Sequence, residues 1–245
     1  MNDCWTFFAF PLNLLLSLLW GIGLMYLWNR CPQSRVVRFL LSPAATLSAL
    51  LLLLVSCLWL GLYGDPDFAA SIPFVIILLY VQTVLFLITL RGWKNQAGTI
   101  RWRFLLLHAG LLLALGAGFW GAPDSTELRV VLETGQETQK AYFMNGDVSA
   151  LGYTLRLDDY RAGYSDDGKP IDYEALISVN GGNPVHLYVN EPYPVKIGED
   201  IYLASVSARH CVLQIVREPW RYCVLTGIVM LLAGAFLLFI NGPRR

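Results

Sequence analysis

The sequence is poor in charge. Only 15% of its 245 residues are Asp, Glu, Lys or Arg, and 18 basic residues balance 18 acidic ones, whereas an ordinary soluble domain carries about 25% charged residues. A net charge of zero offers no bulk attraction to nucleic acid, so no nucleic-acid partner is expected. Cysteines are few and scattered: Cys4, Cys31, Cys57, Cys211 and Cys223 form neither a disulfide framework nor a C-x-x-C redox pair. There is no His-x-x-x-His and no glycine-rich phosphate loop. The opening MNDCWTFFAF holds no Lys or Arg, so it lacks the basic segment that starts a cleavable secretory signal. The first apolar run is therefore expected to stay as a helix.

What is plentiful is apolar surface, with 56% hydrophobic residues and a mean hydropathy of +0.50. A spanning helix needs ~20 mostly apolar residues. Five stretches qualify, at about 10–28, 44–63, 72–90, 104–120 and 222–240. The expected fold is an α-helical membrane bundle of about five transmembrane helices, with an all-β extracytoplasmic domain inserted between the fourth and fifth. The domains are then a four-helix bundle over 1–120, the β domain over 121–220, and a last helix with a short basic tail over 221–245. Basic residues favour the cytoplasmic side. Arg30, Arg35 and Arg38, then Arg91, Lys94, Arg101 and Arg103, then Arg244 and Arg245 all fall on one side of such a bundle, with Asp65 and Asp67 opposite. This predicts an inner-membrane protein with its N-terminus outside, its C-terminus cytoplasmic and residues 121–220 outside. Trp5, Trp59, Tyr63, Trp120 and Trp220 then mark the outer interface, and Trp28, Trp93 and Trp102 the inner one. Arg217 and Arg221 are exceptions on the outer side, next to Pro219-Trp220 where the chain enters the last helix.

Residues 121–220 change period from 3.6 to two. Tyr153, Leu155 and Leu157 share a face, as do Ala175, Ile177 and Val179, then Val185, Leu187 and Val189, then Tyr202, Ala204 and Val206, followed by the run 212–216. Turn signals at 166–169, 180–183 and Gly198 separate these strands. An antiparallel β sandwich or open barrel is expected.

The residue that demands a reason is His108, inside FLLLHAGLLLALGAGFW. It lies five residues beyond Arg103, about 7.5 Å at the helical rise, within the inner leaflet. An ionisable side chain at such depth usually faces the bundle interior and marks a ligand or a pathway, and neutral imidazole is a good ligand for haem iron. A histidine that hydrogen-bonds a neighbouring helix is the other reading. Gly110, Ala114 and Gly118 form a small-residue row that suits close helix packing, about 200° around the helix from His108. Gly227 and Gly234 offer a similar face on the last helix. His186 and His210 lie on expected strands and read as solvent-facing, with an outer-side haem contact as the alternative. The outer acids Asp124, Glu127, Asp158, Asp159, Asp166, Asp167, Asp172 and Glu174 read as a solvated surface.

Several stretches carry a family likeness. FPLNLLLSLLWGIGL with SRVVRFLLSPAA, HAGLLLALGAGFWGAPD, LRLDDYRAGYSDDGKPIDYEALISV, HLYVNEPYPVKIGEDIYLASV and LQIVREPWRYCVLTGIVMLLAGAFLLF together resemble the ResB, or CcsB, family of System II cytochrome c biogenesis. The resemblance implies a haem-handling subunit. It would help carry haem b, held transiently and shared with a CcsA-like membrane protein, outward to apocytochrome c, with a thioredoxin-like thiol reductase as a further partner and lipid around it. It implies that His108 is the intramembrane axial ligand of the haem iron, and it assigns no catalytic residue. The chain ends at Arg245 and holds no W-G-x-x-W-x-W-D segment. The implied form is thus a short one without the CcsA half, not a complete holocytochrome c synthase by itself. A non-haem scaffold or sensor subunit, binding proteins through the β domain, is the alternative.

Overall fold

A computed structural model describes residues 6–64, 66–94, 96–164, 170–207 and 210–241. Cys4, Trp5, Asp65, the expected turn at 166–169, Arg244 and Arg245 lie outside the described residues, as do the side chains of Asp67 and Asp172. The chain forms two compact units, one of residues 1–124 with 220–245 and one of Ser125–Pro219.

The first unit is helical: α1 (Leu12–Arg30), α2 (Arg35–Leu40), α3 (Pro43–Tyr63), α4 (Pro66–Ala69), α5 (Ile72–Gly92), α6 (Trp102–Gly121) and α7 (Arg221–Asn241). Five of these, α1, α3, α5, α6 and α7, are long and apolar enough to cross a membrane. The short α2 and α4 are additions that no apolar run announces. Serine side chains start three of the helices. Ser34 accepts from the Val37 N–H, Ser42 from Ala45 and Ser71 from Phe74, and each satisfies an otherwise orphaned helical donor. Pro43 and Pro73 sit in first turns, where a missing N–H costs nothing.

The α6–α7 pair is packed through glycine. A Cβ on Gly110 would meet the Gly227 carbonyl oxygen at 2.8 Å and Met230 Cβ at 2.9 Å. One on Gly227 would meet the Ala114 nitrogen at 2.6 Å, and one on Gly234 would meet Leu107 at 2.8 Å. Gly121 lies against the Trp220 side chain. The seam on α6 therefore runs Leu107, Gly110, Ala114 and Gly121, with Ala117 also buried. Gly118, expected in the row, is exposed and a Cβ there would meet nothing within 4 Å. Two steps of four residues advance about 80° past two full turns, whereas alternating steps of three and four stay on one face.

The second unit is one eight-stranded antiparallel sheet, not a two-sheet sandwich: β1 (Thr126–Leu132), β2 (Glu137–Phe143), β3 (Val148–Tyr164), β4 (Pro170–Val179), β5 (Val185–Tyr188), β6 (Tyr193–Lys196), β7 (Glu199–Val206) and β8 (Cys211–Arg217), in the order β5-β4-β3-β2-β1-β8-β7-β6. The sheet curls until β4 and β5 approach β7, and the Tyr173 hydroxyl donates to the Ala204 carbonyl at 3.5 Å. Its concave face holds Leu128, Val130, Leu132, Leu155, Leu157, Ala175, Ile177, Leu187, Leu213 and Ile215, all 0% exposed. On β7 the inward residues are Ile201 and Leu203, opposite Ile215 and Leu213. The expected face of Tyr202 and Ala204 points away. A bulge between Leu203 and Ser205 then brings Val206 back against the core.

One carboxylate is buried in this unit. Glu199, 2% exposed, accepts from the Tyr153 hydroxyl at 2.6 Å and from Arg217 Nε at 2.9 Å, and pairs with Lys196 Nζ at 3.0 Å. Burial alone would raise its pKa, but the bonds from Tyr153, Lys196 and Arg217 outweigh that and hold it below its ordinary value. Burial, with Glu199 alongside, pushes the Tyr153 phenol upward.

Two outcomes follow from this packing. Gly110→Leu should weaken the α6–α7 association by about 1–3 kcal/mol, the usual cost of overpacking, while Gly118→Leu should leave it unchanged, as read by steric trapping of the unfolded state in bicelles. Because the folded pKa of Glu199 lies below the ordinary carboxylate value of 4.5, its stabilisation is complete above that pH and is lost as pH falls through the lowered folded-state pKa. Glu199→Gln should reduce protection of β7 and β8 at neutral pH by about 1–3 kcal/mol and flatten its acid dependence in hydrogen–deuterium exchange of the full chain.

Candidate functional site

His108 sits one and a half turns into α6 and is half-buried. Its ring stacks on Phe104, with centroids 3.8 Å apart and planes 19° from parallel. Phe104 in turn fills the space over Gly92 of α5, where any Cβ would collide with the ring. The Arg101 guanidinium lies 5.0 Å from the Phe104 centroid and reaches the Gly92 carbonyl at 3.4 Å. Arg101, Phe104 and His108 thus form one stripe along α6, as steps of three and four residues require.

The imidazole has a defined hydrogen bond. Nδ1 lies 2.9 Å from the Phe104 carbonyl oxygen. A carbonyl accepts and cannot donate, so Nδ1 carries the proton and, in the neutral ring, Nε2 keeps a free lone pair. That is the arrangement of a metal-ligating histidine, whose second nitrogen is fixed by a backbone carbonyl or carboxylate. The stack on Phe104 fixes the ring plane as well.

Asn13 and Gln82 are buried polar side chains of the same unit. Asn13, 1% exposed, donates through Nδ2 to the Trp120 carbonyl and to Asp124 Oδ2, both at 2.8 Å. Asp124 also accepts from the Phe10 N–H at 2.7 Å and from the Trp220 indole. Its carboxylate ties together the starts of α1 and α7 and the end of α6, and it is not the solvated outer acid that the sequence suggests. Gln82 of α5, 1% exposed, has neither amide atom hydrogen-bonded and faces Gly116 of α6, a Cβ on which would lie 3.8 Å from its Oε1.

In the second unit His186 is outward and exposed, with Nδ1 3.7 Å from Glu174. His210 is not on a strand. It precedes β8, and Nδ1 lies 2.9 Å from the Ser207 hydroxyl. Asp158 bonds Arg156 and Ser178. Cys211 is buried, its thiol pKa pushed up to about 12 by burial, whereas Cys31, Cys57 and Cys223 are exposed and free. Among the described residues no group of three His, Cys, Asp or Glu side chains is placed to hold a metal ion, and His186 and His210 belong to the second unit, not to that of His108.

The sequence from before α6 through the sheet matches a known family: residues 95–212 fit the ResB-like family. That stretch is ResB-like. The ResB-like stretch contains His108 and nearly the whole sheet, and it points to cytochrome c biogenesis in general. No curated protein matches the chain. Among solved structures, "Cytochrome c Heme Lyase CcmF" is similar at 18% identity and a TM-score of 0.43, over 92% of this chain and 38% of its own. The chain thus spans well under half of that structure, and the likeness is too loose to establish a shared fold.

The tautomer of His108 can be observed directly. In selectively 15N-labelled protein in lipid nanodiscs, the neutral imidazole of His108 should carry its proton on Nδ1 and none on Nε2. Phe104→Ala should increase ring mobility without changing the overall helix content.

Proposed function

We propose that this protein is a haem-handling subunit of the cytochrome c synthesis machinery. It would reside in the bacterial inner membrane with the β domain outside, and it would help pass haem from the cytoplasmic side outward to apocytochrome c together with a CcsA-like partner. The observation that carries the reading is the oriented imidazole of His108. Its Nδ1 is held by the Phe104 carbonyl, which leaves Nε2 as the donor a haem iron would take. The ResB-like match across residues 95–212 supports the pathway. Five membrane-length helices support the setting.

The remaining parts follow from the chemistry of the cargo. Haem bound to one protein imidazole has a second axial position. This position would be filled by the CcsA-like partner, since His108 is the single histidine of its own unit. Haem here is cargo, so a single oriented ligand suits pick-up and release better than a closed two-ligand pocket. Arg101, on the same stripe of α6 and with no carboxylate partner among the described residues, offers positive charge towards the end where haem would enter.

The test is to express the protein with a CcsA-like partner and compare His108→Gly with the unaltered chain. The variant should lose the copurifying Soret absorbance and cytochrome c maturation at least tenfold, and added imidazole should restore the Soret band. An unchanged spectrum and unchanged maturation in His108→Gly would sink the haem reading and favour a non-haem scaffold.

A further inference from the structure

The end of the sheet at which the chain enters and leaves it carries two turns unlike the β1–β2 turn at the opposite end. The second unit begins at Ser125 and ends at Pro219, and Thr126 of β1 stands opposite Arg217 of β8. The β2–β3 turn lies at the same end, because Phe143 stands opposite Leu128. So does the β6–β7 turn, because Glu199 stands opposite Arg217 and the Glu218 N–H donates to the Gly198 carbonyl at 2.7 Å.

Both of these turns display large apolar side chains. Met144 is 65% exposed and Val148 62%, the latter paired across the strands with the exposed Tyr142. Phe143 is also exposed, and Ile197 is 83% exposed. Turns of this kind are normally polar, as is the β1–β2 turn at the far end, Glu133-Thr134-Gly135-Gln136. Exposed Met, Ile, Val, Phe and Tyr on two turns at one end of a sheet suit an apolar partner.

From this we infer that the turn tips at Phe143–Val148 and at Ile197 insert into the lipid surface. The inference rests on the reading of α6 and α7 as membrane-spanning. The connections set what these tips can reach. Gly121 and Thr126 are five chain steps apart, and Arg217 and Arg221 four. Spans this short reach at most about 14–18 Å when extended, so this end of the sheet stays near the headgroup layer whatever the tilt of the rest. Tyr and large aliphatic side chains at that level gain by entering the boundary between headgroups and acyl chains. The Met144 tip also carries Asp147, whose carboxylate accepts from Asn145. Insertion is therefore driven by apolar contact and does not require anionic lipid.

The full chain is reconstituted in phosphatidylcholine nanodiscs with the photo-crosslinking amino acid p-benzoylphenylalanine at position 144 or 197, at position 134 in the far turn, or at position 51, an exposed Leu of α3. After illumination the intact mass is measured. Lipid adducts are expected at 144, 197 and 51, with at least tenfold less at 134. Adducts at 51 but not at 144 and 197, adducts equal at 134, or protein–protein crosslinks from 144 and 197 would each overturn the lipid contact. No adduct at 51 would overturn it together with the membrane-spanning reading beneath it.

Discussion

The contact on which most else depends is the glycine-mediated approach of α6 and α7. The two helices bracket the inserted sheet in sequence, so their pairing closes the chain on itself. Within the sheet the same closure recurs, because β1 and β8, the first and last strands, pair along their whole length. Each unit thus receives the chain and returns it side by side. In a lipid setting the helix pair gains nothing from expelling water, so close backbone contact through Gly110 and Gly227 has to supply the association.

Polar groups finish the helix ends that packing begins. Asp124 gathers the Phe10 N–H, Asn13 and the Trp220 indole, and Asn13 donates to the Trp120 carbonyl in the last turn of α6. A carboxylate with several donors is costly to misplace in an apolar environment, which makes this an effective constraint on register. In the sheet, Glu199 has the same part, fastening β7 to Tyr153 of β3 across the curl and to Arg217 of β8.

The candidate site draws on that rigidity. His108 stacks on Phe104, whose ring in turn packs over Gly92 of α5, so that contact sets the plane of the imidazole. In the proposed function, a fixed tautomer on a fixed helix would suit a ligand that takes a metal-bearing cargo from one side and yields it on the other. The stacked phenyl excludes water from one face of the imidazole and leaves Nε2 as the reactive edge.

Much of this was legible beforehand. The five apolar runs place the spanning-length helices within two residues at either end, because length and apolarity alone decide such helices. His108 stands out because an imidazole in an apolar run is costly and needs a reason. Strands with a clean alternation, such as 153–157 and 175–179, show their core face directly. In EDIYLASV both parities are apolar, so only pairing with Leu213 and Ile215 selects Ile201 and Leu203. Gly118 and Asp124 look, in sequence, like a packing position and a surface acid. Helix drift removes the first from the seam, and distant chain segments meeting at Phe10, Asn13 and Trp220 make the second a clamp. The sequence by itself determined the elements, their apolarity and the exceptional histidine, since these depend on local composition and period. Tertiary structure alone decided the curl of the sheet, the seam of α6 and α7, and which nitrogen of His108 is free, because each depends on groups brought together from far apart in the chain or on the conformation of one side chain.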